Sequence, residues 1–336
     1  MPPLSARSAS PAQVLFEEED RPSSLPVCDH YSGVEARMRK SLALQAELGP
    51  VFDVTLDNED GAPVGGEVEH AHLIAELLGG ADNRWGRVGV RLLDVQHARF
   101  EDVARVVIAS VRPPAYLMIP KPRGVADLAH AASVIDALGG GHIPLHALVE
   151  THGALREVST LAAHPRIQSL SFGLMDFVSA HRGAIPQSAM GVHGQFTHPL
   201  VVRAKLEIAA ACHANAKVPS HSVVTEFKDL SALQAAARKA ALDFGYTRMW
   251  SIHPDQIRTI VAAFTPSDEE IAQAIEILMA AEEAQWAPVR HRDTLHDRAS
   301  YRYFWQLLQR AHRTDHGPAS RIPSDLPAHW FEGEHA

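Results

Sequence analysis

The sequence predicts an α/β fold, a (β/α)8 TIM barrel with a C-terminal helical extension, and two observations support this prediction. Short apolar runs typical of buried strands alternate with helical stretches over about 240 residues. This alternation gives right-handed βαβ units, and eight strands at this spacing fit a closed barrel better than an open, doubly wound sheet. No G-x-G-x-x-G or Walker-type loop follows any of the runs, which argues against dinucleotide-binding and P-loop folds.

The predicted elements follow one another in regular order along the chain. We predict strands near residues 24–28, 51–57, 87–93, 115–119, 144–149, 168–173, 216–220 and 248–252. The spacing of apolar residues predicts helices between them over 34–48, 67–78, 125–138, 155–163, 200–214 and 230–244.

Three parts of the chain are expected from this order. Residues 1–22 mix Pro, Ser and Glu and are expected to form a flexible lead-in, and residues 23–265 are expected to form the catalytic barrel. Residues 266–336 are expected to form the helical extension, whose first helix is capped by Ser267 or Thr265 and runs to about Trp286. Because the tail after this helix is rich in aromatic residues, we expect the extension to take part in oligomer contacts.

Composition argues against several classes of partner. The 336-residue chain has a formal net charge of −9 and no Lys/Arg-rich block, so nucleic acid is not an expected partner. No stretch reaches the ~18–20 apolar residues that span a bilayer, and we see no signal-peptide pattern, so no membrane association is expected. Cys28 and Cys212 lie in apolar surroundings and are predicted to be buried thiols in a reducing, cytoplasmic environment.

Two carboxylates that follow neighbouring predicted strands are the most informative feature of the sequence. Glu150 follows the run 145–149, and Asp176 follows the run 169–173; their separation of 176 − 150 = 26 residues is about one strand–helix–strand repeat. The carboxyl ends of parallel strands meet at one face of a barrel, so the two acids are expected to repel each other unless a cation lies between them. Mg²⁺ binds one or two protein carboxylates together with water and substrate oxygens, so we predict a Mg²⁺ site, with Mn²⁺ as the alternative ion.

Further charged residues follow other predicted strands at the same face. The second strand leads into Glu59 and Asp60, the third ends in Arg91, and the fourth leads into Lys121. Each has an ordinary structural explanation when it is taken alone, as part of an acidic turn or of a surface salt bridge. Together with the carboxylate pair they predict a site for an anionic substrate, which Arg91, Asp60 and Lys121 would bind.

The chain resembles the citrate lyase β-subunit and malyl-CoA lyase group of the HpcH/HpaI aldolase family. The resemblance spans roughly residues 50 to 285, in order and spacing, and is carried by the strings LDNEDGAP, IPKP, VETHG, FGLMDF, FGYTRMWSIHPDQI and FTPSDEEI. It implies a trimeric or hexameric TIM barrel that uses Mg²⁺ to cleave or form carbon–carbon bonds. It places the metal ligands at Glu150 and Asp176. It also implies that Glu59 holds metal-bound water and that Arg91 contacts substrate oxygens.

The sequence departs from the family pattern at three strand ends. The first strand lacks the family's Val-Pro-Gly segment and the Arg that follows it, and the Arg-x-Asn expected at Arg91 is here Arg-Leu-Leu-Asp. After the seventh strand, His221 stands roughly where the family often has an aspartate. We therefore predict that His30 and His221 line the pocket as acid and base; the alternative is that both are ordinary histidines near strand ends.

The predicted function is that of a Mg²⁺-dependent carbon–carbon lyase or aldolase. Its substrate would be a small anionic oxo or hydroxy acid, or the CoA thioester of one, handled by retro-aldol chemistry through a metal-stabilised enolate. The predicted catalytic residues are Arg91, Glu59, His221 and His30. We expect a homotrimer or homohexamer. Two alternatives stay open: a thioesterase of the malyl-CoA type, and a non-catalytic ligand-binding relative.

Overall fold

The computed structural model describes residues 9–16, 25–314, 321–323 and 326–331. They fall into two compact units: the described residues of 23–264 form one, and those of 1–22 and 265–336 form the other. Within the described ranges, no helix is both long enough and apolar enough to cross a membrane.

The first unit is a closed barrel of eight parallel strands, in which β1 pairs with both β2 and β8. The strands are β1 (Cys28–Ser32), β2 (Phe52–Asp57), β3 (Val88–Arg91), β4 (Leu117–Ile119), β5 (Leu145–Val149), β6 (Ile167–Phe172), β7 (Val218–His221) and β8 (Arg248–Ser251). They pair in chain order around the ring, so the predicted TIM barrel is confirmed.

Helices connect successive strands of the barrel. In chain order, the described α-helices are α1 (Pro11–Leu15), α2 (Glu35–Leu48), α3 (Glu67–Gly79), α4 (Phe100–Ile108), α5 (Val125–Ala137), α6 (His152–Arg156), α7 (Val158–Ala163), α8 (Leu174–Ser179), α9 (Pro199–Ala214), α10 (Leu230–Leu242), α11 (Pro254–Phe264), α12 (Asp268–Glu283) and α13 (Arg298–Thr314). Helices α2 to α11 belong to the barrel unit, and α1, α12 and α13 belong to the second unit.

The two faces of each barrel strand have different environments. Residues that face the helices form the main apolar core, as in β5, where Leu145, Ala147 and Val149 are fully buried. The residues that alternate with them face the barrel axis, and several of these are polar. Arg248, for example, is fully buried and its Nη1 lies 2.5 Å from Oδ2 of Asp53. Because the charge of Asp53 compensates the charge of Arg248, the free-energy cost of burying these two side chains is reduced.

The first strand begins later in the chain than predicted. The apolar run at residues 24–28 indicated a strand there, whereas β1 covers Cys28–Ser32. Asp29 of this strand faces the barrel interior, where it accepts a hydrogen bond of 2.7 Å from the hydroxyl of Thr55. Because the inner face of β1 carries polar residues, a search for apolar runs places the strand too early.

The second unit contains the predicted helical extension. The hydroxyl of Ser267 accepts a hydrogen bond from the backbone N–H of Glu270 (3.3 Å), and the Glu270 carboxylate accepts one from the backbone N–H of Ser267 (2.8 Å). This capping box confirms the helix start predicted at Ser267. Helix α13 buries Tyr301 and Trp305 completely in the apolar cluster of this unit, to which Trp330 also belongs. A role of the extension in oligomer contacts stays a prediction.

The structure differs from the expected flexible lead-in at residues 9–16. Helix α1 lies there, with Ser10 as its capping residue, and Leu15 is 1% exposed within the apolar cluster of the second unit. The backbone oxygen of Leu15 also accepts a hydrogen bond of 2.8 Å from Nε of Arg302. Residues 1–8 and 17–22 lie outside the described residues, so that part of the expectation stays a prediction.

Candidate active site

Glu150 and Asp176 lie at the carboxyl ends of neighbouring strands. Glu150 directly follows β5 and is 3% exposed, whereas Asp176 lies in the first turn of α8, directly after β6, and its side chain is 43% exposed. Burial, followed by the charge of Asp176, raises the pKa of Glu150 to about 8. Asp176 is therefore close enough to oppose the ionisation of Glu150, and a bound cation would relieve this repulsion.

Gly173 is what allows Glu150 to occupy its position. A Cβ atom at residue 173 would lie 2.1 Å from Oε2 of Glu150, far inside van der Waals contact. The residue between β6 and α8 therefore has to be glycine, for reasons of space alone. Because residue 173 is glycine, the Glu150 carboxylate packs directly against the backbone that follows β6, and this contact fixes the position of Glu150, one of the two predicted metal ligands.

Lys121 connects the carboxylates at this face. Its backbone N–H donates to Oε1 of Glu150 (2.8 Å), and its ammonium group contacts Glu59, lies 2.7 Å from Oδ2 of Asp60 and lies 4.0 Å from Oδ1 of Asp176. The backbone of Lys121 has φ 49°, an uncommon value for a residue with a side chain. Partial burial opposes its charge, but the hydrogen bonds to Asp60 and Glu59 raise the pKa of Lys121 above its ordinary value.

Arg91 is held rigidly at the end of β3 by two carboxylates. Its Nε and Nη2 donate to the two carboxylate oxygens of Asp57 at 2.7 and 2.5 Å, and its Nη1 lies 3.1 Å from Oε2 of Glu59. Asp57 also accepts hydrogen bonds from the backbone N–H groups of Glu59 (2.9 Å) and Gly61 (2.8 Å). Asp57 thus fixes both the guanidinium group and the loop that carries Glu59.

Asp57 was not among the predicted site residues. The sequence does contain a signal for it, because Asp57 is the first acid of the string LDNED at the end of the second predicted strand. Its partner, however, comes from the next strand, and the register of the two strands is what sets Asp57 opposite Arg91.

Burial raises the pKa of Glu59 above its ordinary value, although the positive charges of Arg91 and Lys121 act in the opposite direction.

His30 and His221 are both buried, and their hydrogen-bond partners are groups other than Glu150 and Asp176. His30 is 2% exposed, its Nδ1 lies 3.0 Å from the hydroxyl of Ser251, and burial lowers its pKa to about 4. His221 is fully buried: its Nδ1 donates to the backbone oxygen of Ser222 (3.0 Å), and its Nε2 accepts from the ammonium group of Lys205 on α9 (2.7 Å).

The alternation of residues along a strand explains both positions. Asp29 faces the barrel axis, so His30, its neighbour, faces the helices. His221 likewise faces α9, and burial together with the neighbouring Lys205 lowers its pKa well below the ordinary value. These positions argue against the predicted acid–base roles of His30 and His221, because a group that exchanges a proton with a substrate has to reach the open end of the barrel; the roles themselves stay a prediction.

The donor set fits Mg²⁺ with two protein ligands. Among the described residues there is no group of three or more His, Cys, Asp or Glu side chains arranged to hold a metal ion. Mg²⁺ is often bound by one or two carboxylates, with water and substrate oxygens in the other positions. The buried Glu150 carboxylate, opposed by Asp176, is the kind of ligand pair that such an ion stabilises.

No family profile matches the chain, but it is similar to individual proteins of known structure or activity. The crystal structure of a citrate lyase from Burkholderia xenovorans LB400 is 57% identical, with a TM-score of 0.81, over 93% of this chain and 98% of that chain. An L-malyl-CoA/β-methylmalyl-CoA lyase from Rhodobacter capsulatus is 26% identical over 252 residues, covering 69% of this chain and 77% of the relative. The CitE protein from Mycobacterium tuberculosis, solved with magnesium, acetoacetate and coenzyme A, shares the fold at 20% identity and a TM-score of 0.67, over 86% of this chain and 99% of that chain.

Proposed function

Because this chain belongs to the citrate lyase β-subunit and malyl-CoA lyase group of the HpcH/HpaI aldolase family, we propose that it is a Mg²⁺-dependent carbon–carbon lyase. Its substrate is a hydroxy acid or the CoA thioester of one, and the reaction is a retro-aldol cleavage or its reverse. The cleavage releases an oxo acid and an acyl fragment.

The observation that carries this proposal is the carboxylate pair. Glu150 is held by the backbone N–H of Lys121 and by the close approach of Gly173, and its pKa is raised to about 8 by burial and by Asp176. A protein that only needed stability would gain nothing from a buried acid opposed by a second acid. The pair is useful when a cation binds it, and the relative from Mycobacterium tuberculosis was solved with magnesium.

Glu150 and Asp176 would hold the ion. The chemistry that Mg²⁺ supplies when bound is Lewis-acid polarisation of the substrate's carbonyl and carboxylate oxygens. Arg91 complements it as a fixed cation: three of its contacts go to Asp57 and Glu59, and N–H groups on Nη1 and Nη2 remain for a substrate oxygen. A guanidinium group that is already in position stabilises developing negative charge without reorganisation.

Glu59 is the best-placed group to accept the proton of the substrate hydroxyl. Retro-aldol cleavage begins when the substrate hydroxyl loses its proton, and burial raises the pKa of Glu59, which makes it a stronger base than an ordinary carboxylate. Lys121 and Arg91 hold its two oxygens from opposite sides and orient it. Asp60, whose Oδ2 lies 2.7 Å from the ammonium group of Lys121, positions that lysine.

The experiment combines binding with product analysis. Thermal stability of the purified chain is measured with Mg²⁺ and glyoxylate or oxaloacetate, for wild type, Glu150→Gln, Asp176→Asn and the control Glu207→Gln, which changes a partly exposed carboxylate paired with Arg203 on α9. We expect stabilisation that needs both metal and oxo acid, that the control retains and that both site variants lose. Products formed from malyl-CoA then identify the reaction: acetyl-CoA and glyoxylate support the lyase, free CoA thiol indicates a thioesterase, and binding without product indicates a non-catalytic relative.

A further inference from the structure

Lys121 has a backbone conformation that the local sequence does not favour. Its φ of 49° lies in the left-handed region, which a residue with a side chain rarely adopts. The next residue is Pro122, and the residue before a proline is normally extended because the proline ring restricts it. A conformation of this kind persists where the surrounding structure holds it, so the neighbours of Lys121 should include groups that do so.

The segment that follows β5 supplies such groups on both sides of Lys121. On the N-terminal side, the backbone N–H of Lys121 donates to Oε1 of Glu150 (2.8 Å). On the C-terminal side, the hydroxyl of Thr151 donates to the backbone oxygen of Pro122 (2.7 Å). Two successive residues, Glu150 and Thr151, therefore hold the main chain on either side of the unfavourable conformation.

Thr151 is itself fixed by the start of α6. Its hydroxyl accepts a hydrogen bond from the backbone N–H of Ala154 (3.0 Å), which caps this helix. A Cβ atom at Gly153 would lie 1.8 Å from the backbone oxygen of Arg123, so the start of α6 also packs directly against the main chain that follows Lys121. The Thr151 hydroxyl thus joins the start of a helix to Pro122, and its single proton is directed at the Pro122 oxygen.

Resting on the metal-dependent lyase function proposed above, we propose that Thr151 is a positioning residue of the metal site. It acts through Lys121: the Thr151 hydroxyl holds the Lys121 main chain in the conformation in which its N–H fixes the Glu150 carboxylate. The same conformation lets the Lys121 ammonium group contact Glu59. A hydroxyl at residue 151 therefore determines how well Glu150 is oriented for an ion.

Thr151→Val and Thr151→Ser form a matched pair of variants for this proposal. Valine has nearly the shape of threonine but no hydroxyl, whereas serine keeps the hydroxyl. Titration calorimetry on the full chain should show that Thr151→Val binds Mg²⁺ roughly 10-fold more weakly than wild type, as expected for the loss of one hydrogen bond. Thr151→Ser should bind Mg²⁺ as wild type does. The control Thr314→Val, which removes a hydroxyl that donates to the backbone oxygen of Arg310 in α13 (3.0 Å), should also bind as wild type does.

Hydrogen exchange reports on the main chain of Lys121 directly. Residues 120 and 122 are both prolines, so Lys121 carries the only backbone N–H between Ile119 and Arg123. This N–H is bonded to Glu150 and should exchange slowly in metal-free wild type and in Thr151→Ser. In Thr151→Val it should exchange faster, because the conformation that aims it at Glu150 is no longer held.

The outcomes separate this inference from the proposed function. If Thr151→Val binds Mg²⁺ as tightly as wild type, or if Thr151→Ser binds it as weakly as Thr151→Val, the inference is overturned while the lyase function stands. If wild type binds no Mg²⁺, or if Glu150→Gln binds it as wild type does, the proposed metal site fails and the inference fails with it.

Circular dichroism checks that the variants are folded. If Thr151→Val is not folded, Thr151→Ala takes its place in both measurements. Loss of folding in both variants, with Thr151→Ser folded, would show that the hydroxyl serves folding alone, and this result would also overturn the inference.

Discussion

Binding of Mg²⁺ should release a proton from this protein, and the environment of Glu150 sets the amount. Burial and the charge of Asp176 raise the pKa of Glu150 to about 8. At pH 7 that group is protonated in about 90% of molecules, and a metal ligand has to be ionised, so binding should release about 0.9 proton per ion. Glu150→Gln should abolish the release, whereas Glu207→Gln, at a partly exposed ion pair with Arg203 on α9, should leave it unchanged.

The release is measured by titration calorimetry at pH 7 in two buffers of different ionisation enthalpy. The difference between the apparent enthalpies gives the number of protons exchanged. The apparent affinity for Mg²⁺ should also rise about tenfold per pH unit below pH 8 and level off above it. A wild-type value below about 0.2 proton, or an equal value in Glu150→Gln, would refute the assignment of Glu150 as a metal ligand ionised on binding.

The same group makes the metal-free protein less stable as pH rises. The pKa of Glu150 is raised from 4.5 to about 8 in the folded state, so between these values the folded state binds more protons than the unfolded state. The difference of 8 − 4.5 = 3.5 corresponds to a loss of at most about 5 kcal/mol in the free energy of unfolding across that range. Urea denaturation from pH 5 to pH 9 should show this slope in wild type and a flatter profile in Glu150→Gln, and identical profiles would contradict the assignment.

Three further substitutions test the supporting structure. Asp57→Asn should lower kcat/KM about 100-fold, because Arg91 and the loop with Glu59 lose their common anchor; unchanged turnover beside the exposed control Asp243→Asn would contradict this. Gly173→Ala should abolish Mg²⁺ binding in calorimetry, since the new Cβ would lie 2.1 Å from Glu150, whereas Gly66→Ala, with open space around it, should bind normally. Asp53→Asn should lower the free energy of unfolding by about 3–5 kcal/mol in urea denaturation, because it removes the charge of the closest partner of the buried Arg248. A loss below about 1 kcal/mol would show that Asp29 alone compensates the charge of Arg248.

The sequence predicted the positions of residues that lie at strand ends, while the roles of these residues in the site stay predictions. Glu150 and Asp176 follow long apolar runs, so the end of each strand, and with it the position of each acid, is readable without knowledge of the partner strand. Lys121 and Arg91 were predicted for the same reason. Such residues need only the rule that the carboxyl ends of parallel strands share one face of a barrel.

The face of a strand on which a side chain lies was not predicted correctly. A shift of one residue moves a side chain from the barrel axis to the helices, and nothing in a short polar strand such as Cys28–Ser32 fixes that register in the sequence. His30 was therefore expected in the pocket, although its neighbours Asp29 and Tyr31 are the residues that face the interior. The apolar cluster of Tyr31, Met118, Leu148, Val223 and Trp250 was missed for a related reason, since its members come from distant parts of the chain and form no local pattern.

Lys121 shows how one residue couples the two functions of this face. Its backbone N–H fixes Glu150, and its ammonium group lies between Glu59, Asp60 and Asp176. The uncommon φ of 49° is what allows the main chain and the side chain to reach different carboxylates at once. In the metal-free chain this ammonium group supplies the positive charge that the acids require. If Glu150 and Asp176 hold a metal ion as proposed, the ion would take over that task at Asp176, and Lys121 would remain paired with Glu59 and Asp60. In the proposed site, binding of the ion and orientation of the base Glu59 would therefore be linked through the side chain of Lys121.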